Sequence, residues 1–144
     1  MAVKFSEFSS GTTGANLNIV GYDSSSSTNV KVTYPNLQSS VLLITTNRQT
    51  ASYTLALGDA NKLVEMNVAT ANNLNVPLNS SVAFPIGTQL NVSQYGAGQT
   101  TIVATGGVTI RSASGNLKIA SQYVAVSLVK IATDEWYCFG NLSA

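Results

Sequence analysis

The residues that could carry out chemistry in this 144-residue chain are few. There is no histidine, which removes the commonest general base and metal ligand and excludes every triad built on histidine. Cys138 is the single cysteine, so neither an intrachain disulfide nor a cysteine zinc site can form. Because Cys138 lies in the apolar run Trp136–Phe139, we expect a buried and unreactive thiol. These residue types predict no catalytic residue, no metal site and no cofactor.

The acidic residues do not form the pair that acid–base catalysis requires. A glycosidase, for example, needs two carboxyl groups that face each other across the bond to be broken. Asp59 falls in a predicted turn and Glu65 in the strand that follows, and Asp134 and Glu135 form another turn. The spacing therefore favours solvated surface acids, and we expect the protein not to be an enzyme.

Aromatic side chains are the remaining candidates for a binding function. Exposed together they could stack on sugar rings, whereas in most proteins such residues fill a β core or a subunit interface. The sequence leaves these alternatives open, so the set is a candidate oligomer interface or glycan site: Tyr53, Tyr95, Tyr123, Trp136 and Tyr137.

Charge and hydropathy exclude two classes of partner. The net charge is +1 and the lysines and arginines are not clustered, whereas binding to phosphates requires several clustered cations, so no nucleic acid partner is expected. The longest apolar run, Val41–Ile44, is far too short to span a membrane. The first residues contain no hydrophobic stretch of the secretory type, so we expect synthesis in a cytoplasm without a signal peptide.

The elements that must position these residues are predicted to be short strands. In Thr88–Tyr95, Leu90 and Val92 alternate with polar residues, as in a half-buried strand. The Gly96–Gly98 segment is predicted to be a hairpin loop that leads into a second strand over Gln99–Ala104. No segment has helical periodicity over a dozen residues. The pattern predicts an all-β protein, an antiparallel β-sandwich or jelly-roll-like barrel of short strands.

Composition divides the chain into residues 1–37 and residues 38–144. The first part is polar and rich in serine, with possible strands at Asn18–Tyr22 and Asn29–Tyr34. It is interpreted either as an extended attachment arm or hairpin that docks on another molecule, or as edge strands of the main domain. The second part is the antiparallel β domain. At its start, Leu37–Thr46 is predicted to be a strand that enters the core, with a short helical turn over Leu37–Ile44 as the alternative, and Gln122–Ala132 is predicted to be the longest strand.

Two parts of the sequence resemble structural proteins of tailed bacteriophages. The main part resembles a module found in tail fibres, tail spikes and head-decorating proteins, and the N-terminal part resembles the attachment segment that opens many phage fibre proteins. The residues that carry the first resemblance are Tyr53–Asn67, Val82–Thr88, Gln94–Thr100, Val108–Ser112 and Asp134–Trp136, and those that carry the second are Phe5–Phe8, Val20–Asp23 and Asn36–Leu37.

The resemblance implies a homotrimeric, non-enzymatic protein of the phage virion. Its N-terminal segment would attach it to the particle, with a hydrophobic side chain such as Phe5 or Phe8, and with Val20 and Tyr22, in the contact. A typical receptor-binding fibre is much longer than this chain, so the length favours a capsid decoration or cement protein whose partner is the major capsid protein. The alternative is a short tail fibre or fibre adaptor that contacts a tail or fibre protein and binds a glycan or receptor.

Overall fold

A computed structural model of the chain describes residues 18–23, 28–33 and 43–144. The chain divides into two compact units, Met1–Leu43 and Ile44–Ala144. In the first unit, β1 (Asn18–Asp23) and β2 (Thr28–Thr33) pair in antiparallel fashion as a two-stranded sheet of their own. The two strands predicted for this part therefore pair with each other as a hairpin.

The second unit consists of two larger sheets of short strands. The strands of the six-stranded sheet, in spatial order, are β3 (Thr46–Gln49), β5 (Leu63–Met66), β7 (Gln89–Gln94), β11 (Ala125–Ala132), β12 (Glu135–Gly140) and β9 (Thr109–Arg111). Those of the five-stranded sheet are β13 (Leu142–Ser143), β10 (Lys118–Ile119), β8 (Thr100–Ala104), β6 (Asn72–Val76) and β4 (Tyr53–Thr54). Two single 3-10 turns, Leu57–Asp59 and Ala113–Gly115, complete the described elements.

Both larger sheets contribute to one hydrophobic core. Alternate side chains along each strand point inward, as the period of two in a strand requires. The six-stranded sheet buries Val64, Met66, Leu90, Val92, Val126, Leu128, Trp136 and Cys138, and the five-stranded sheet buries Leu74, Val76, Ile102 and Ile119. The all-β prediction is confirmed.

The sheets are mixed, whereas the sequence pattern predicted antiparallel pairing. From β3 to β8 the chain alternates between the two sheets, so each strand lies parallel to the strand two places earlier. This part of the chain winds regularly through both sheets in three successive turns, β3–β4, β5–β6 and β7–β8, and we call it the coil. Antiparallel pairs follow in β11 with β7 and β12, and in β10 with β8 and β13. Apolar alternation did not reveal the difference because it reports the buried face and is the same for both kinds of pairing.

The predicted hairpin at Gly96–Gly98 is wrong for the same reason. These glycines form a corner where the chain passes from β7 in one sheet to β8 in the other. The Gly98 N–H donates to the Val68 carbonyl of the preceding turn of the coil at 2.9 Å. A Cβ atom at Gly98 would lie 1.9 Å from the Thr70 carbonyl oxygen, so the contact between the two turns requires glycine.

Two predicted strands differ in their bounds. Most of Leu37–Thr46 lies outside the described residues, and its described part does not enter the core, since Leu43 is 70% and Ile44 64% exposed. β11 is the longest described strand, as predicted, but it begins at Ala125 rather than at residue 122. The backbone of Tyr123 is left-handed (φ 65°), which interrupts the extended chain just before the strand.

Candidate functional site

The outer face of the six-stranded sheet carries a set of exposed aromatic side chains. In β12 the alternation turns Trp136 and Cys138 into the core and Tyr137 and Phe139 outward. At the other end of the same face, Tyr95 follows β7 and Tyr123 precedes β11. These are the exposed aromatic residues among those whose side chains the structure describes, and we call them the aromatic face: Tyr95, Tyr123, Tyr137 and Phe139.

The first half of the aromatic face is fixed by the parallel coil. Arg48 and Glu65 are register neighbours in β3 and β5, and they form an ion pair at 3.3 Å. The hydrogen bond that Arg48 donates to the Glu65 carboxylate raises the pKa of Arg48, whose guanidinium lies 4.2 Å from the centre of the Tyr95 ring. Tyr123 meets Tyr95 edge-on, with ring centres 5.9 Å apart. Arg48, Tyr95 and Tyr123 therefore form one continuous surface in which each side chain contacts another of the three.

The second half of the aromatic face lies over β12 and β9. Arg111 pairs with Glu135, which raises the pKa of the arginine, and it stands next to Tyr137 in the parallel register of these strands. An open groove of about 250 Å³ adjoins this half. It is lined by Arg111, Ser112, Ala113, Tyr137, Cys138 and Phe139.

Small side chains separate the two halves. Ser93 and Ala125 are register partners in β7 and β11, and Ser127 lies opposite Phe139. The Ser127 hydroxyl donates to the Asn91 side chain at 2.6 Å, so this polar group is already occupied within the sheet. The face therefore has large aromatic side chains at both ends and small side chains between them, an arrangement that suits a broad contact.

The carboxylates and the cysteine near the aromatic face are already engaged or buried. Glu65 and Glu135 on this face are both held by arginines, and the described part of the chain contains no group of three or more potential metal ligands. Burial raises the pKa of the Cys138 thiol to about 11, so the thiolate, its reactive form, is disfavoured at neutral pH. The aromatic rings and paired guanidinium groups can stack on a partner and hydrogen bond to it.

The structure places the five predicted aromatic candidates in three different environments. Tyr95, Tyr123 and Tyr137 lie on the aromatic face. Trp136 is 1% exposed and packs edge-on against Phe84, with ring centres 5.5 Å apart, so it belongs to the core. Tyr53 is half-buried and lies away from the other candidates, in the corner described next.

Asp59 is a structural acid, and the prediction that it is solvated is wrong. It is 2% exposed and accepts hydrogen bonds from the Asn47 amide at 2.7 Å and the Tyr53 hydroxyl at 2.9 Å. A third bond comes from the Ala56 N–H at 2.8 Å. Burial and this carboxylate raise the pKa of Tyr53. The sequence did not reveal the cluster, because strands β3 and β4 that carry its donors were not predicted to share a turn of a coil.

The predicted attachment residues stay predictions. Phe5 and Phe8 lie outside the described residues. Val20 and Tyr22 lie in β1, of which the backbone alone is described.

Two members of the candidate surface were missed by the sequence analysis. Phe139 could have been found, because alternation in β12 places it on the same face as Tyr137. Arg48 carried no such signal, since its approach to Tyr95 depends on the parallel stacking of β3, β5 and β7.

Comparison with known proteins does not assign the chain to a family. No protein-family model matches it, and no curated protein sequence matches it. Within the described residues, none of the helical segments has the length and apolar character needed to cross a bilayer.

Proposed function

We propose that this chain is a non-enzymatic structural protein of a tailed-bacteriophage virion, a decoration or cement protein of the capsid surface. The observation that carries the proposal is the aromatic face, which offers a broad contact surface and holds its carboxylates in ion pairs rather than in a reactive pair. The resemblance of the sequence to phage fibre and head-decorating modules supplies the kind of particle. In this assignment the major capsid protein is the partner and the virion is the location.

The composition of the aromatic face supports a role in protein–protein contact. Tyrosine and arginine are enriched among the residues that dominate binding energies. Here Arg48 and Arg111 are each already oriented by a glutamate, which reduces the side-chain entropy lost on binding. The same side chains could serve a contact between copies, and a homotrimer would also cover the open edges of the two sheets at β3, β4, β9 and β13.

A short tail fibre or fibre adaptor is the second candidate. The pairing of Tyr95 with Tyr123, and the groove beside Tyr137, favour it, because exposed rings next to hydrogen-bonding groups are suited to sugars. Recognition of a host glycan would then be the role of the same face.

The stoichiometry of purified particles distinguishes the candidates. Quantitative mass spectrometry would give the number of copies of this chain relative to the major capsid protein. A ratio of roughly one to one is expected for a protein that decorates symmetric capsomers. A handful of copies per particle would place the chain on the tail, and its absence from particles would overturn both assignments.

A double variant tests whether the aromatic face makes the contact. Tyr137→Ser with Phe139→Ser removes two exposed rings without touching the core, and we expect it to weaken particle binding at least tenfold. Ile86→Ala is the matched control, since Ile86 is 67% exposed and does not belong to the face. Unchanged binding of a folded double variant would exclude this half of the face from the contact.

A further inference from the structure

Lys130 occupies a core position in β11, where the alternation of buried and exposed residues along the strand predicts an apolar side chain. Along β11, Val126, Leu128 and Lys130 point inward in turn, and the lysine is 2% exposed. An ammonium group buried without an opposite charge is costly. Among the described residues the ion pairs are Arg48–Glu65 and Arg111–Glu135, and Lys130 belongs to neither. The site therefore needs another explanation for a lysine.

The amine of Lys130 faces a carboxamide inside an apolar enclosure. Its Nζ lies 2.6 Å from Asn79 Oδ1 and 2.8 Å from the carbonyl oxygen of Phe84. The Trp136 ring, with its centre 5.9 Å from Nζ, forms one wall, and Phe84 packs edge-on against that ring. Both aromatic residues are buried, so they shield the amine from solvent.

A second contact fixes the main chain of Asn79. Asp134, in the turn between β11 and β12, accepts the main-chain N–H of Asn79 at 2.5 Å through Oδ1. Its left-handed backbone (φ 42°) is part of that turn. The strand that carries Lys130 and the turn that follows it thus hold Asn79 at two points.

We propose that Lys130 and Asn79 form an intramolecular isopeptide bond. A carbonyl bond is about 1.23 Å long, so Nζ lies no more than roughly 3.8 Å from Asn79 Cγ, near the separation of about 3–3.5 Å from which attack proceeds. Lysine amines are established nucleophiles toward carbonyl carbon once they are deprotonated and desolvated. The geometry brings together a nucleophile, an electrophile and an apolar enclosure.

The reaction balances without a further reactant. The Nζ lone pair of Lys130 attacks Cγ of Asn79, the Nζ–Cγ bond forms and the Cγ–Nδ2 bond breaks. Two of the three protons of the lysine ammonium pass to Nδ2, which leaves as an ammonium ion. The product is a neutral secondary amide, so the buried charge disappears.

The bond would join the two larger sheets covalently. Asn79 lies three residues beyond β6 of the five-stranded sheet, and Lys130 lies on β11 of the six-stranded sheet. A crosslink between residues 51 positions apart removes conformational freedom from the unfolded chain in the way a disulfide does. The chain has one cysteine and cannot form such a disulfide itself.

The intact mass of the full-length chain tests the proposal directly. Under denaturing conditions the mass should be about 17 Da below that of the sequence, the mass of one ammonia. Tryptic digestion should yield peptide 63–111 joined to peptide 119–144, because trypsin does not cleave at an acylated lysine. The joined peptide also separates this bond from loss of ammonia at a single asparagine, which leaves the peptides apart.

Matched variants complete the test. Lys130→Met and Asn79→Ala should each have the full mass of their sequence, whereas Asn75→Ala, which changes another asparagine in the same region, should keep the deficit. A full-mass wild-type chain whose circular dichroism shows native β structure would overturn the proposal, whatever the variants do.

Discussion

Asp59 is the residue on which one corner of the β domain depends. Its carboxylate accepts hydrogen bonds from Asn47, Tyr53 and the Ala56 N–H, which belong to three successive segments of the first turn of the coil. A buried donor that loses its acceptor retains the full cost of its desolvation. The acid therefore contributes to the fold although it has no part in a reaction.

Replacing this acid should be costly. We expect Asp59→Ala to lower the free energy of unfolding by about 2–3 kcal/mol, because the Asn47 and Tyr53 donors are left without their partner. Urea denaturation followed by Trp136 fluorescence would measure the change. Glu65→Ala is the control, since it removes an acid whose ion pair is with the solvent-exposed Arg48, and such pairs contribute little to stability. Equal losses in the two variants would contradict the role of Asp59.

At the scale of elements, the corner between β7 and β8 sets how closely the turns of the coil stack. A methyl group at Gly98 would overlap the Thr70 main chain, which cannot move as a flexible side chain can. We therefore expect Gly98→Ala to cost about 3 kcal/mol or more in the free energy of unfolding. Gly106→Ala is the matched control, since nothing lies within 4 Å of its added Cβ.

The two glycine variants separate stacking from flexibility. If glycine at residue 98 merely eased a turn, both alanine variants would change the urea midpoint by similar small amounts. A large loss confined to Gly98→Ala is the result expected from contact between successive turns of the coil.

The sequence predicted strands and their buried faces better than it predicted how the strands pair. Alternation correctly placed Leu90 and Val92 on one face of β7, because burial on one side of a strand repeats every two residues. It carried no information on the parallel stacking of β3, β5 and β7, which depends on contacts between distant segments. That stacking brings Arg48 to Tyr95, so this half of the candidate site could not be predicted.

Two buried residues were not recognised as buried from the sequence, because their side chains are charged. Alternation along β11 places Lys130 on the same face as Val126 and Leu128, yet a lysine is ordinarily read as exposed. Asp59 was assigned to solvent because it lies in a turn-like sequence. In both cases the hydrogen-bonding partners come from other segments, and the structure was needed to identify them.

At the scale of the whole molecule, the chain has two units with separate sheets. The first unit includes the β1–β2 hairpin, and the second contains the core and the aromatic face. The core cluster described for the second unit is built from residues beyond Ile44, so we expect this unit to fold by itself.

A shortened chain that begins at Ile44 tests whether the two units have separate roles in stability and in attachment. We expect it to keep the urea midpoint of the longer chain, because the core cluster described for the second unit lies within it, and to bind purified particles more weakly, because the N-terminal segment adds its own contact to that of the aromatic face. Phe5→Ala with Phe8→Ala in the full-length chain is the finer variant and should weaken binding in the same direction. Undiminished particle binding by the shortened chain would exclude the N-terminal segment from attachment and leave the aromatic face as the contact.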